Sequence, residues 1–361
     1  MIGLRITNPD GSFFLFNEFT APATNIWTRA VSEDYGDILE PDGEWLSYKW
    51  TCPNAIPDGY NFYVMRHGAM AGITFTDIGG RMYVSGTEET FWHNQGSDGK
   101  VTLKGLSRLS GDGKFKNRIQ IIAYPDYKKS SLPINLGLRI KGNAVFLNEI
   151  PTTGYAYAFY KKKITINAEF IPSMISPDLT IDNAIYFFYT LNSNAYIRTD
   201  YVQQSIYDPG RPVLISTEKN GRGNTSAEYY VVAFRLAKGG ELDTGSHGLR
   251  LRNSKGEITF NSEYNVLTRP IMITGTSMST GEKRTIENIR RPMYSPSAVG
   301  QFFFRTDGGY LENLNICHYD QTGLSLSRFR VMYNSAYYGD NTTARTKNSI
   351  LVLDAEDYFK F

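Results

Sequence analysis

Side chains that do chemistry are sparse in this chain, and their spacing serves chemistry poorly. The four histidines, His67, His93, His247 and His318, stand far apart, with no H-E-x-x-H and no C-x-x-C to build a metal site. Cys317 and His318 are neighbours, but adjacent strand residues point to opposite faces. They read as a packed cysteine beside a surface imidazole rather than as two ligands of one ion. The stretch GTSMSTG, from Gly275 to Gly281, lacks the G-x-S-x-G spacing of a nucleophile elbow. GDGKFKNR and NGRGNTS are glycine-rich, yet each falls where a hairpin loop is expected, so no helix start is there to cradle a phosphate. Glu88 and Glu89 precede Phe91-Trp92-His93, and acids beside aromatics are the furniture of sugar clefts. An exposed turn leading into a buried aromatic strand is the favoured account of them. No catalytic set, no metal site and no cofactor is expected.

Contact chemistry is better represented. The segment MYNSAYYGDNTTARTKN places Tyr333, Tyr337 and Tyr338 among small polar residues, followed by Arg345 and Lys347. Tyrosine offers rigid amphipathic area at low entropic cost, so these five residues, with Trp92, are the candidate binding surface. A loop packed on its own protein is the alternative for the same residues.

The elements that would position them are strands. Aromatic residues make up 14% of the chain, glycine is abundant, and helical periodicity is nearly absent. One phrase occurs three times: GLRITNPDGSFFLFNE from Gly3, GLRIKGNAVFLNE from Gly137 and GLRLRNSKGEITFNS from Gly248. Each has two apolar residues flanking an arginine, a turn centred on Gly11, Gly142 or Gly256, and an alternating return. That is a β-hairpin with one apolar face. Each phrase is followed by an aromatic strand pair: Tyr60 to Phe75, Ala184 to Arg198, Gly300 to Asn313. Near the end of each interval a nearly continuous apolar strand appears: RIQIIAY, YYVVAF, SILVLD. Three landmarks in constant order imply three copies of one unit. Each interval is sized for a β-sandwich of about 100 residues. The expectation is an all-β chain of three tandem sandwich-like domains, 1–134, 135–246 and 247–361, with linkers at 127–135 and 238–247.

Basic residues exceed acidic ones by only two (38 against 36), so no attraction to nucleic acid is expected. Only two cysteines, Cys52 and Cys317, occur, in different units, which suits a reducing compartment rather than a disulfide framework. The Met1 end shows no signal-peptide pattern, and no apolar run approaches the roughly 18–20 residues that span a bilayer, so no membrane insertion is expected.

The third phrase and its approach, YYVVAFRLAKGGELDTGSHGLRLRNSKGEITFNSEY, resemble a series common in small tail proteins of tailed bacteriophages. There a VxxF strand, a spacer and YGLxVxNxxGxxxFDS follow one another. The matching residues are Val232 to Phe234 and Gly248 to Ser262, with Asn261 where Asp is usual. The copies at Gly3 and Gly137 match more loosely, and the likeness covers about a third of the chain. It implies a non-enzymatic virion component of tail fibre, tail tip or collar type, folded in the bacterial cytoplasm. Its implied partners are other tail proteins and, beyond them, a host-surface protein or glycan. The first unit would then anchor and the third face outward. Alternatives are a glycan-binding or glycan-cleaving module and a decoration protein without a receptor. Fibres are often trimers, but no heptads set an oligomeric order here.

Overall fold

A computed structural model describes residues 4–7, 13–16, 23–31, 39–42, 45–57, 59–66, 71–89, 91–108, 117–125, 137–139, 145–147, 155–181, 183–201, 212–219, 223–244, 248–252, 256–267, 270–306 and 308–361. The chain is all-β, and the described helical segments are single 3-10 turns.

All three phrases fold as isolated two-stranded hairpins. Leu4–Thr7 pairs with Phe13–Phe16, Gly137–Arg139 with Val145–Leu147, and Arg250–Arg252 with Ile258–Asn261. Gly11 and Gly142 lie outside the described residues; Gly256 sits at φ 81°, in the left-handed region that glycine enters without steric cost. At the head of the third phrase, Gly248 has φ 111°, and a Cβ there would lie 2.6 Å from Ser262 Oγ. That hydroxyl instead accepts from the Leu249 amide at 2.8 Å. Asn261 donates to the carbonyls of Leu242 (2.9 Å) and Thr244 (3.1 Å). A carboxylate has no proton for these two acceptors, which is a physical reason for asparagine at this point of the phrase.

Beyond its hairpin each unit builds the same inner sheet, with its closing strand in the centre. In the first unit the order is Thr24–Val31, Asn117–Pro125, Tyr60–Arg66. In the second it is Ala156–Ile166, Ala227–Leu236, Ile185–Tyr189. In the third it is Ile271–Thr274, Ser349–Asp354, Pro292–Tyr294. The sequence landmark at 300–313 therefore does not fill this slot; the short strand Pro292–Tyr294 does, and the phenylalanine run at 302–304 belongs to an outer sheet. Phe188 pairs with Tyr294, which fuses the second and third inner sheets into one of six strands.

An outer sheet covers each inner one. In the first unit it includes Trp45–Thr51 and Val101–Arg108, in the second Pro212–Glu218 and Ala195–Tyr201. In the third, four strands run in the order Gly323–Asn334, Gly308–Asp320, Ala298–Thr306, Thr342–Arg345. The closing strands explain their continuous apolar runs, because both of their faces are buried. Tyr229, Val231 and Ala233 point into the second sandwich, while Tyr230, Val232 and Phe234 point the other way. Ile350 and Val352 alternate with Leu351 and Leu353 in the same manner, as do Ile119 and Ile121 with Ile122 and Tyr124.

The second faces of all three inner sheets meet in one shared cluster. It contains Tyr63 and Met65 from the first unit, Phe187 and Phe234 from the second, and Met293 and Leu351 from the third. Beside it, three backbones close a ring. The Ala23 amide donates to Leu267 O (2.6 Å), Leu267 to Ala156 O (2.7 Å), and Ala156 to Ala23 O (3.2 Å). These residues stand 20, 19 and 19 positions after Gly3, Gly137 and Gly248, so equivalent points of the three copies bond in cyclic order. The sandwiches thus pack as one body around a three-way junction. Of the expected linkers, 127–135 lies outside the described residues, whereas 238–244 forms a 3-10 turn at Glu241–Asp243 with Leu242 buried.

Candidate interaction surface

The tyrosine-bearing segment divides on folding. Tyr337 and Tyr338 pair in parallel with Met82 and Tyr83 of the first unit. Tyr337 stacks on Phe75 with centroids 4.6 Å apart, beside the buried Phe303 and Ala344. Tyr338 stacks on Tyr83 at 5.4 Å, and the guanidiniums of Arg81 and Arg305 lie 5.1 and 5.0 Å from its ring. These two tyrosines are spent on holding the third unit to the first. Arg345 donates to the Met278 carbonyl, tying its strand to the segment that covers the third sandwich. Lys347 is exposed. Trp92 lies in the strand Phe91–Gln95, its backbone opposite Lys104; its side chain is outside the described set. Of the three candidate tyrosines only Tyr333 is exposed, at 51%, with Tyr310 4.7 Å away.

Following Tyr333 inward reveals a surface that sequence reading missed. In the third outer sheet Tyr310 is opposite both Tyr333 and Phe304, Glu312 is opposite both Arg330 and Phe302, and Leu314 is opposite Arg328. Directly paired residues share a face, so these side chains line one side of the sheet. At one end of that side Leu314, Ile316, Leu324 and Leu326 are buried with Met278 and Ile286. At the other end the aromatic rings are covered by arginine instead. The Arg328 guanidinium lies 3.7 Å from the Phe302 centroid and that of Arg330 3.5 Å from Tyr310. Phe302 stacks on Phe304 at 6.1 Å. Arg330 approaches Glu312 only at 4.0 Å, and neither Nε of the two arginines has a hydrogen-bond partner among the described residues.

Glu88 and Glu89 end the strand Arg81–Glu89 rather than a turn, and their side chains lie outside the described residues. Cys317 is packed as expected, but His318 is buried too rather than at the surface. Burial pushes the Cys317 thiol up to about 12, and the nucleophilic thiolate is therefore scarce. His318 is buried with Nε2 2.8 Å from Pro292 O and its ring edge-on to Tyr189, 5.2 Å away, so it lies where the second and third units meet. Burial lowers its pKa to about 4 and holds it neutral. Among the described residues no three His, Cys, Asp or Glu side chains gather in a metal-binding group.

The densest charge cluster surrounds Arg235, whose side chain is 3% exposed. It donates to both oxygens of Glu241 (2.8 and 2.6 Å), lies 3.1 Å from Asp178, and has Phe159 4.6 Å from its guanidinium. Hydrogen bonds from Ser176 and Tyr160, with Arg235 alongside, hold the Asp178 carboxyl well below its usual range. Glu241 also accepts from the Lys238 amide at 2.6 Å. The cluster therefore clamps the connection between the second and third units. Comparison with protein-family models, curated proteins and solved structures returned no match. No helix of the described residues is long and apolar enough to cross a membrane.

Proposed function

We propose that this chain is a non-enzymatic structural component of a tailed-bacteriophage particle, of tail fibre, tail tip or collar type, which works by docking to other tail proteins. The observation that carries the reading is the phrase resembling phage tail proteins, present three times and folded each time as a two-stranded hairpin. Both cysteines are free and buried, in keeping with folding in a bacterial cytoplasm. Groups that would serve an enzyme, Cys317, His318 and Asp178, are committed to packing or clamping.

The experiment is direct: particles purified from an infected host are examined by mass spectrometry and by gold labelling of a tagged copy. The expected result is a fixed copy number per particle at the tail. Abundant protein in the infected cell with none in purified particles would overturn the proposal. Deleting residues 1–134 is a poor test of anchoring by the first unit, because Tyr63, Met65, Ile122 and Tyr124 belong to the shared core. Tags on the exposed Ile78–Arg81 turn are better, since they leave that core covered.

A second reading, attachment to a host-surface glycan, is favoured by the arginine-covered face ending at Tyr333. Particles lacking the chain would then fail to adsorb. Normal adsorption of such particles would instead suit a decoration protein.

A further inference from the structure

The two arginines of the third outer sheet pose a problem that packing alone does not solve. Laying a guanidinium flat on an aromatic ring shields apolar surface and gains about 0.5–2 kcal/mol, depending on exposure. It leaves the in-plane N–H groups, five per arginine, needing acceptors. At three other arginines the terminal nitrogens find acceptors, although the Arg235 Nε, like those of Arg328 and Arg330, has none among the described residues. Arg235 has Glu241 and Asp178, Arg291 reaches Glu356 and the Tyr189 hydroxyl, and Arg345 has a carbonyl. Arg328 and Arg330 have one distant carboxylate between them, at 4.0 Å.

From this we propose that the face formed by Phe302, Phe304, Tyr310, Arg328, Arg330 and Tyr333 binds a carboxylate-bearing saccharide. The Nε atoms of both arginines are buried, so the fork that a guanidinium over a ring presents to a carboxylate is here its terminal Nη pair. Two such forks stand on adjacent pairs of one ladder, since Leu314 is opposite Arg328 and Glu312 opposite Arg330. Tyr333 adds an exposed ring beside them, the flat amphipathic surface on which a sugar stacks its C–H face. Glu312, 15% exposed, supplies an acceptor for a hydroxyl of the same sugar.

A peptide partner fits less well. An extended peptide would add at the edge strand Gly323–Asn334, whereas the rings and guanidiniums stand on the face of that sheet. Phosphate-rich polymers fit less well too, because Glu312 stands inside the patch and the net charge of the chain is only +2. The inference gives the attachment reading a site and a ligand class. It depends on that reading only for its setting, because the binding belongs to the isolated protein.

The test is calorimetry on the full chain with four probes: an oligogalacturonate, a sialylated lactose, and their neutral counterparts, an oligogalactan and lactose. Oligoglutamate serves as a non-sugar polycarboxylate. The expected result is binding of at least one acidic saccharide, at least tenfold tighter than its neutral counterpart, weakened by salt. Arg330→Gln and Tyr333→Ala should each reduce that affinity at least fivefold, whereas Lys347→Ala should leave it unchanged. Tyr333 is 51% exposed, and urea unfolding of both variants, run beside the calorimetry, separates loss of binding from loss of folding. The proposal is overturned if neither acidic saccharide binds, if binding survives both substitutions, or if oligoglutamate binds as tightly as the sugars. Particle composition is measured separately, so failure here leaves the tail assignment standing, and absence from particles leaves this site standing.

Discussion

Arg235 and Arg330 are the same side chain in two settings. Both lie over an aromatic ring, Arg235 over Phe159 at 4.6 Å and Arg330 over Tyr310 at 3.5 Å. The terminal nitrogens of Arg235 are occupied by two carboxylates and a tyrosine hydroxyl, and solvent hardly reaches it. Arg330 is 22% exposed and faces a single carboxylate at the limit of an ion pair. The first is an internal rivet that pins the segment leading out of the second unit. The second keeps its capacity for hydrogen bonding, and the difference is set by what stands opposite, not by the residue.

Breaking the rivet should have the largest effect. Arg235→Ala removes the cation shared by Asp178 and Glu241, leaving Asp178 with Lys238 at 3.4 Å, and a loss of about 1–3 kcal/mol in urea unfolding is expected. An unchanged midpoint would mean that the cluster is ornamental. The next effect is that of pH on His318, a third ring-packed side chain that is buried without charge. Its folded pKa, about 4, lies below the unfolded value near 6.5, so the unfolded state binds the extra proton between those limits. Its contribution is therefore complete above pH 6.5 and lost as pH falls towards 4, by up to about 3 kcal/mol. Thermal scans of wild type and His318→Gln across that window should differ in slope, with the variant flatter.

Arg330→Gln sharpens the contrast from the other side. It should change stability by no more than about 1 kcal/mol, the scale of a partly exposed cation–π contact, while reducing saccharide affinity at least fivefold. A large stability loss would place it with Arg235. The smallest effect is expected for Lys347→Ala, within about 0.5 kcal/mol, because that side chain is exposed.

Much of the fold was legible in the sequence. The Leu-Arg-Ile or Leu-Arg-Leu alternation with its turn and return marks each hairpin, and period two is a local property. RIQIIAY, YYVVAF and SILVLD announce strands buried on both sides. What covers their second face was not legible, because Phe187, Phe234, Met293 and Leu351 come from distant parts of the chain and meet only through topology. The fate of Tyr337 was hidden for a similar reason. Its pairing with Met82 spans most of the chain, and nothing in its own loop distinguishes a docked tyrosine from an exposed one. The arginine-covered face left a faint trace, the alternation Arg328-Phe329-Arg330 two strands away from Phe302-Phe303-Phe304. Whether those side chains meet depends on register. A shift between Leu311 and Glu312 sets Tyr310 against Tyr333 and Glu312 against Arg330, and the intervening count of residues does not reveal it.

The ring joining Ala23, Ala156 and Leu267 carries a consequence for synthesis. As the chain leaves the ribosome, its first sandwich must wait with one flank of the inner sheet wet until residue 267 arrives, and the junction is roofed only when Leu351 and Leu353 emerge. Such distant closures make acquisition of the native state slow and leave greasy intermediates open to clumping meanwhile. Nascent chains halted after the second copy should therefore be avid clients of the host's folding helpers, and full-length ones should let go of them.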